Sequence, residues 1–187
     1  MDVDKFFKAP IGDMQLFVKF AIKIFKKFFF IVALFSSSFV YAADIDYPIA
    51  EVVEIVDGDT IRLKLSNKKL VKVRLAGIDA PELDQVYGNF SKTYLEKFLS
   101  RKRVEFIDLG DDYYGRMLAI LFYNEIEINL HLVRSGNAWA FKRYLAELPN
   151  ARAALYSAAH RAAKNDEVGL WLDKKAVPPW EWRRRKR

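Results

Sequence analysis

The chain has 187 residues, 52% of them hydrophobic, and its 31 Lys and Arg against 24 Asp and Glu give a net charge of +7. This length fits one domain with an additional segment, and the composition excludes a disordered or collagen-like chain. The absence of cysteine excludes a disulfide framework, a cysteine-ligated zinc or iron–sulfur centre and a thiol nucleophile. The positive charge favours an anionic partner without specifying its class.

The first 42 residues differ in composition from the rest of the chain. They hold 10 of the 15 Phe and six Lys, with three Asp and no Glu. Lys26 and Lys27 precede a run of 16 apolar residues and serines, Phe28 to Ala43, and this order is typical of a secretory signal peptide. We therefore predict cleavage after Ala42, contact with the membrane only during export, and a secreted or periplasmic product.

Two alternatives remain for this segment. One is an uncleaved anchor, although the apolar run is shorter than the roughly 20 residues that span a bilayer. The other is a start at Met14, which would leave a signal of more ordinary length. Without residues 1–42, the basic charge lies mainly in Arg183–Arg187, because residues 43–182 hold 20 basic and 21 acidic side chains.

Three strands are predicted in the first part of the remaining chain. Ala50–Val56 is mostly apolar and β-branched and ends at the turn signal Asp57-Gly58-Asp59. Two segments of alternating apolar and basic residues follow, Ile61–Leu65 and Val71–Leu75, with a polar turn between them. We expect an antiparallel meander with one buried face.

Beyond the meander, the pattern predicts three helices and two more strands. Apolar residues repeat at helical spacing between Tyr87 and Leu99, and again after Asn150, which is a predicted N-cap. The predicted elements are a helix at 87–99, strands at 104–109 and 117–123, a short helix at 128–134 and an alanine-rich helix from 150. We expect Pro178-Pro179 to end the regular structure and the basic residues after it to form a solvated, disordered tail.

Five strands with a helix between the third and the fourth are the order of an OB-type barrel. We therefore predict an α+β fold, a five-stranded OB-fold β-barrel with three α-helices. We expect one domain, 43–177, followed by the tail 178–187. Trp180 and Trp182 in this tail could stack on bases or dock onto the barrel, and we favour docking. This architecture is common in nucleic-acid and oligosaccharide binding, but a fold does not settle function.

Carboxylates and arginines beside turns are the candidate functional residues. Asp59 follows the first strand, and Asp79 and Glu82 follow the third, so the meander brings all three carboxylates to one end of the sheet. Such a cluster requires a cation or arginines to balance its charge. Oxygen ligands without His or Cys suit Ca²⁺ or Mg²⁺, and Arg74 and Arg116 can hold phosphate oxygens through paired hydrogen bonds.

These residue types together predict metal-assisted hydrolysis of a phosphodiester. The cation and the arginines would stabilise charge on the phosphate, and Glu82 would orient or deprotonate the attacking water. Each residue also has an ordinary structural interpretation: Asp-Gly is a common turn, Arg74 can be solvated on the polar face of its strand, and Glu82 can be surface charge. The alternative function is a non-catalytic OB-fold module that binds nucleic acid.

The order of motifs resembles the staphylococcal nuclease (thermonuclease) family. The motifs are DGDT, RLAGIDAPE, YGR and NLHLVRSGNAW, followed by an alanine-rich helix and GLW, over residues 50–172. The resemblance implies an OB barrel and a Ca²⁺-dependent, sugar-nonspecific nuclease that cleaves DNA and RNA, single-stranded or unwound, to 3′-phosphate products. It implies no obligate protein partner, and we expect a monomer.

The resemblance also implies the roles of individual residues. By their positions in the motifs, Asp59 and Asp79 match the calcium-binding aspartates, and Ala80 stands where the family supplies a backbone carbonyl to the metal. Glu82 matches the carboxylate that positions or activates the water. The two arginines named above match those that hold the scissile phosphate.

The substrate-binding residues match the family less closely. The resemblance gives Tyr114, Tyr144 and Lys142 as candidates, although Lys142 stands where the best-known member has a tyrosine. Tyr113 stands where that member has a lysine, and the loop 83–86 is several residues shorter. These departures affect nucleotide binding more than chemistry, so affinity and base preference are not carried over.

Overall fold

The computed structural model describes residues 46–186, so the predicted signal peptide and its cleavage point lie outside the described residues. Within this range, no helix combines the length and the hydropathy needed to cross a membrane. The strands are β1 Ile49–Ile55, β2 Thr60–Lys64, β3 Leu70–Leu75, β4 Ile78–Asp79, β5 Arg103–Asp111, β6 Met117–Tyr123, β7 Ile126–Glu127 and β8 Trp139–Ala140. The helices are α1 Gly88–Leu99, α2 Ile128–Arg134, α3 Lys142–Leu145, α4 Asn150–Asn165 and α5 Pro179–Arg185, with a 3₁₀ turn at Gly169–Leu172.

Five of the strands form a closed barrel. β2 lies between β1 and β3, β5 pairs with β1, and β6 pairs with β5, all antiparallel; a parallel pairing of β3 with β6 closes the sheet. Closure pairs both edges of this five-stranded sheet with each other. The predicted OB fold is confirmed, although residues 46–186 contain five helices rather than three.

The alternation in the sequence sets the two faces of the barrel wall. Ile61 and Leu63 of β2 are fully buried, while the basic residues that follow each of them are exposed. In β1 the alternation slips at a bulge, which leaves Val53 41% exposed. Leu95 and Leu99 of α1 complete the same core, so this helix is held by apolar burial.

A buried amide joins α2 to the barrel. The Asn129 side chain accepts a hydrogen bond from the Leu121 N–H at 3.1 Å and donates to the carbonyls of Ala76 and Ala119, each at 3.0 Å. Asn129 is fully buried, and these bonds satisfy both ends of its amide. They fix the chain between β3 and β4, just before Asp79.

A short pair of strands outside the barrel positions the second aspartate. β4 pairs with β8, which places Asp79 opposite Trp139. Trp139 meets Trp171 edge-on with ring centroids 5.2 Å apart, and both rings are buried. Asp79 therefore rests on a packed aromatic cluster rather than on a flexible loop.

Two expectations about helix ends are wrong. Helix α4 begins at Asn150 with Pro149 at the cap position, so Asn150 is not the N-cap. Pro178-Pro179 does not end the regular structure, because Pro178 is the N-cap and Pro179 the first residue of α5. Proline suits the first turn of a helix, since its fixed φ is already helical and its missing N–H would have no intrahelical partner there.

Helix α5 packs against the domain. The Trp180 ring stacks on Phe141 with centroids 4.1 Å apart and an interplanar angle of 13°, and it meets Trp139 edge-on at 6.4 Å. Trp182 donates from Nε1 to Asp84 Oδ1 at 3.1 Å. Docking of both tryptophans is confirmed, whereas the prediction of a disordered, solvated tail is wrong for the residues of α5.

Candidate active site

The turn between β1 and β2 places Asp59 at one end of the barrel. The Asp57 carboxylate accepts a hydrogen bond from the Asp59 N–H at 3.0 Å and closes the turn. A Cβ on Gly58 would lie 2.7 Å from the Ala80 Cβ and 2.9 Å from the Ser91 Cβ, so only glycine permits this close approach. As a result, Asp59 Oδ2 accepts a hydrogen bond from the Ala80 N–H at 2.6 Å.

Arg74 connects the two buried aspartates. Its Nη2 lies 3.1 Å from Asp59 Oδ2 and 3.0 Å from Asp79 Oδ1, and its Nη1 donates to the Leu75 carbonyl at 2.9 Å. The side chains of Arg74, Asp59 and Asp79 are only 9%, 9% and 1% exposed. The interpretation of Arg74 as a solvated strand residue is therefore wrong.

Burial dominates the electrostatics of Asp59. It raises the pKa of this carboxyl from 3.8 to about 7; the Arg74 guanidinium opposes the rise, and neighbouring Asp57 and Asp79 add to it. Burial lowers the pKa of Arg74, but the two buried aspartates outweigh it and raise that pKa above its ordinary value. Arg74 therefore offsets the cost of burying the Asp59 carboxylate only in part, and a further positive charge nearby would lower its pKa.

Arg116 is held by a carboxylate to which the sequence analysis assigned no role. Asp112 Oδ2 accepts from Arg116 Nε at 2.7 Å and lies 2.6 Å from Nη2, so it binds one edge of the guanidinium. Asp112 Oδ1 accepts the N–H groups of Tyr114 and Arg116 at 2.8 and 3.0 Å. Burial raises the pKa of Asp112, but these hydrogen bonds outweigh it and hold the pKa below its ordinary value. The other edge of the guanidinium remains available for a phosphate.

One cavity of about 520 Å³ brings the predicted site residues together. It is lined by the five charged residues that are predicted to bind the metal or to take part in the chemistry, Asp59, Arg74, Asp79, Glu82 and Arg116. Ala80, Tyr114 and Tyr144 also line it, and the Tyr144 ring centroid is 5.3 Å from Arg74 Cζ. Lys142, in contrast, is exposed on α3 and is not among the lining residues.

A third arginine enters the cavity from α5. Arg183 Nη2 donates to Asp79 Oδ2 at 2.8 Å, and its Nη1 donates to Glu82 Oε1 at 2.5 Å and to Asp79 Oδ1 at 3.2 Å. The sequence-based prediction of a solvated tail missed this residue. The available signal was the three-residue spacing from Trp180, which puts both side chains on one face once Pro179 is taken as a helix start.

The donor set fits a hard divalent cation. Asp59 Oδ2, from the turn between β1 and β2, and Asp79 Oδ1, from β4, lie 3.1 and 3.0 Å from the same atom, Arg74 Nη2, so the two carboxylates are close together. Among residues 46–186, no three or more His, Cys, Asp and Glu side chains group as a metal site, so a cation here would rely on two carboxylates. Ca²⁺ accepts carboxylate, backbone-carbonyl and water oxygens together. Asp59, Asp79 and the carbonyl of Ala80 are the groups that would hold it.

Comparison with known proteins agrees with this geometry. The family model described as staphylococcal nuclease homologue matches residues 72–173. A Haemophilus influenzae protein named "Uncharacterized endonuclease" is 39% identical over 136 residues, which cover 73% of each chain. An Escherichia coli O157:H7 protein with the same name is 35% identical over 136 residues, covering 72% of this chain and 84% of its own. A Shigella flexneri protein named "Micrococcal nuclease" is 36% identical over 143 residues, covering 72% and 79%. The chain belongs to the staphylococcal nuclease family.

Proposed function

We propose that this protein is an exported, Ca²⁺-dependent nuclease that hydrolyses phosphodiester bonds of DNA and RNA and leaves 3′-phosphate ends. The observation that carries the proposal is the convergence of Arg74, Arg116, Glu82, Asp59 and Asp79 on one cavity. Membership of the staphylococcal nuclease family supports it, as do the relatives named endonuclease and micrococcal nuclease.

The two predicted arginines bind the scissile phosphate. Arg116 presents the guanidinium edge that Asp112 leaves free, and Arg74 lines the same cavity. Their N–H groups donate hydrogen bonds to the non-bridging oxygens of the phosphate and stabilise the negative charge on these oxygens in the transition state. Because carboxylates already fix both guanidiniums, little reorganisation is needed when the substrate arrives.

Glu82 accepts the proton of the attacking water. Its side chain is 36% exposed, so water reaches the carboxylate from the cavity. The water oxygen forms a bond to phosphorus while the bond from phosphorus to the 5′ oxygen breaks. The water proton passes to Glu82, the departing 5′ oxygen takes a proton from solvent water that enters the cavity, and the phosphate stays on the 3′ oxygen. A Ca²⁺ ion bound by Asp59, Asp79 and Ala80 would supply Lewis-acid stabilisation of the phosphate charge.

Exposed tyrosines support a single-stranded or unwound substrate. Tyr113 and Tyr114 are 95% and 75% exposed and lie edge-on with ring centroids 5.4 Å apart. Such rings stack on unpaired bases of any sequence. Tyr114 also places its ring centroid 5.5 Å from Arg116 Cζ, so a stacked base would lie beside the phosphate site. We place the catalytic unit in a single copy of the chain, since all these groups come from one protomer.

Cleavage of labelled single-stranded DNA and RNA tests the proposal. In Ca²⁺ the wild type should cleave both to 3′-phosphate ends, identified by their removal with a phosphatase. E82Q should lower kcat by about 100-fold or more, whereas E96Q, which changes an exposed glutamate of α1, should leave it unchanged. Binding of both oligonucleotides by the wild type without cleavage would identify a non-catalytic OB-fold module and refute the proposal.

Export has its own test. The mass of the protein recovered outside the cytoplasm should correspond to a chain that begins at Ala43. A mass that retains residues 28–43 would contradict cleavage and indicate an uncleaved anchor.

A further inference from the structure

Helix α5 brings a guanidinium to Asp79, one of the two carboxylates that would hold a cation, and to Glu82. Arg183 contacts both oxygens of Asp79, at 3.2 and 2.8 Å, and Glu82 Oε1 at 2.5 Å. Arg74 contacts Asp79 Oδ1 as well, at 3.0 Å. Both oxygens of Asp79 are thus engaged by guanidinium N–H groups, and the carboxylate has almost no exposure to water.

A carboxylate oxygen uses the same lone pairs to bind a metal ion and to accept hydrogen bonds. Guanidinium N–H groups already use three of the roughly four lone-pair sites of the Asp79 carboxylate, and a cation bound there would lie beside positive charge. Cation binding at Asp79 therefore disfavours the contact of one of the two arginines. Arg183 is the one that can leave, because its side chain is 38% exposed while that of Arg74 is 9% exposed. Arg183 therefore has a path to solvent that Arg74 lacks.

We propose that Arg183 competes with the divalent cation for Asp79, so that helix α5 sets the cation affinity of the site. The inference rests on the proposed cation site and goes beyond the family assignment, whose matched residues end at 173. Helix α5 is in this sense a part of the active site.

The competitor stays close to the site because its helix is anchored by other residues. Trp180 stacks on Phe141, Trp182 donates a hydrogen bond to Asp84, and Pro179 is buried. Binding of a cation therefore requires only rotation of the Arg183 side chain, not release of α5. The guanidinium remains tethered within reach, and an intramolecular competitor acts at a high effective concentration.

Exchange also suits the charge of the cluster. Asp59, Asp79 and Glu82 line one cavity and together carry more negative charge than Arg74 neutralises. Arg183 supplies one unit and Ca²⁺ supplies two. Removal of Arg183 should strengthen Ca²⁺ binding about tenfold, the lower end of what hydrogen bonds to charged groups contribute, because the pair is partly exposed.

Calorimetric titration of the whole protein with Ca²⁺ tests this competition. The variants are R183Q and R184Q, and the latter removes the same charge from an exposed position of the same helix. We expect R183Q to bind Ca²⁺ about tenfold more tightly than the wild type, and R184Q to bind as the wild type does. Equal affinities of R183Q and R184Q, or weaker binding by R183Q, would overturn the competition.

A second variant covers the case in which R183Q does not fold. R183K keeps the charge but replaces the two contacting nitrogens with one, so its affinity should also exceed that of the wild type; an unchanged value would overturn the proposal. If neither the wild type nor any variant bound Ca²⁺, the proposed cation site itself would be refuted, and the competition with it. If the wild type bound Ca²⁺ as tightly as R183Q does, the competition would be refuted and the proposed cation site would stand.

Discussion

Replacing Asp112 with asparagine should release the Arg116 guanidinium while keeping its loop intact. The amide oxygen of Asn can still accept the N–H groups of Tyr114 and Arg116, which Asp112 Oδ1 accepts at 2.8 and 3.0 Å. The amide nitrogen cannot accept the bonds that Oδ2 receives from Arg116 Nε and Nη2. D112N therefore separates positioning of the guanidinium from folding of the loop.

The size of the effect follows from the freedom that the arginine regains. A free arginine side chain carries about 2 kcal/mol of rotamer entropy. In D112N the cost of ordering the Arg116 side chain would be added to the activation free energy, because the side chain becomes ordered only when it binds the phosphate in the transition state. That free energy corresponds to about a 30-fold lower kcat. Because the Arg116 side chain is already 26% exposed, this is an upper value, and we expect a loss between about 10-fold and about 30-fold.

The assay is a double-mutant cycle on single-stranded DNA in Ca²⁺. D112N should lower kcat in the wild-type background and have no further effect in an R116Q background, since the two residues act as one unit. The thermal midpoints of D112N and the wild type should agree closely. An equal loss of kcat in both backgrounds would refute the role of Asp112 as a positioning residue for Arg116.

Three further predictions concern stability. N129A should lower the free energy of unfolding by about 2–4 kcal/mol, because the buried Leu121 N–H and the Ala76 carbonyl lose the Asn129 side chain, while the Ala119 carbonyl keeps the Ala76 N–H; a urea midpoint equal to that of the wild type would contradict this. G58A should lower the free energy of unfolding by about 1–3 kcal/mol in the same assay, because the added methyl group would clash with the Cβ atoms of Ala80 and Ser91. An unchanged free energy of unfolding would contradict the requirement for glycine in this turn. The folded-state pKa of Asp59, about 7, lies above its unfolded value of 3.8, so its contribution to stability is present below pH 3.8 and is lost as pH rises through 7. In chelator, D59N should remove that fall in unfolding free energy, and identical pH profiles of D59N and the wild type would contradict the assignment.

Much of the barrel and the centre of the site could be predicted because their determinants are local. The alternation around Ile61 and Leu63 fixes which face of β2 is buried. The antiparallel pairing of β2 with β3 places the start of β2, next to Asp59, beside the end of β3, which Asp79 follows shortly. A meander of short strands has few alternative pairings, so sequence neighbours become spatial neighbours. The carboxylates and Arg74 follow from that topology.

The contribution of α5 could not be predicted from local pattern. Pro178-Pro179 equally suits the end of one element and the start of another, and a run of arginines is usually solvated. The stacking of Trp180 on Phe141 holds these residues as a helix against the domain, and this contact joins residues 39 positions apart in the sequence. Asp112 was missed for a related reason: an aspartate in a turn commonly accepts backbone N–H groups, and only the fold reveals that its second oxygen holds Arg116.

The rate of single-stranded DNA hydrolysis by the whole protein, with and without Ca²⁺, tests the central claim most directly. We expect cleavage at about 1 mM Ca²⁺, a concentration suited to a site with few carboxylates. Addition of a chelator should abolish cleavage, and renewed Ca²⁺ should restore it. Undiminished cleavage in chelator would contradict a calcium-dependent site at Asp59 and Asp79, and no cleavage in either condition would contradict a nuclease.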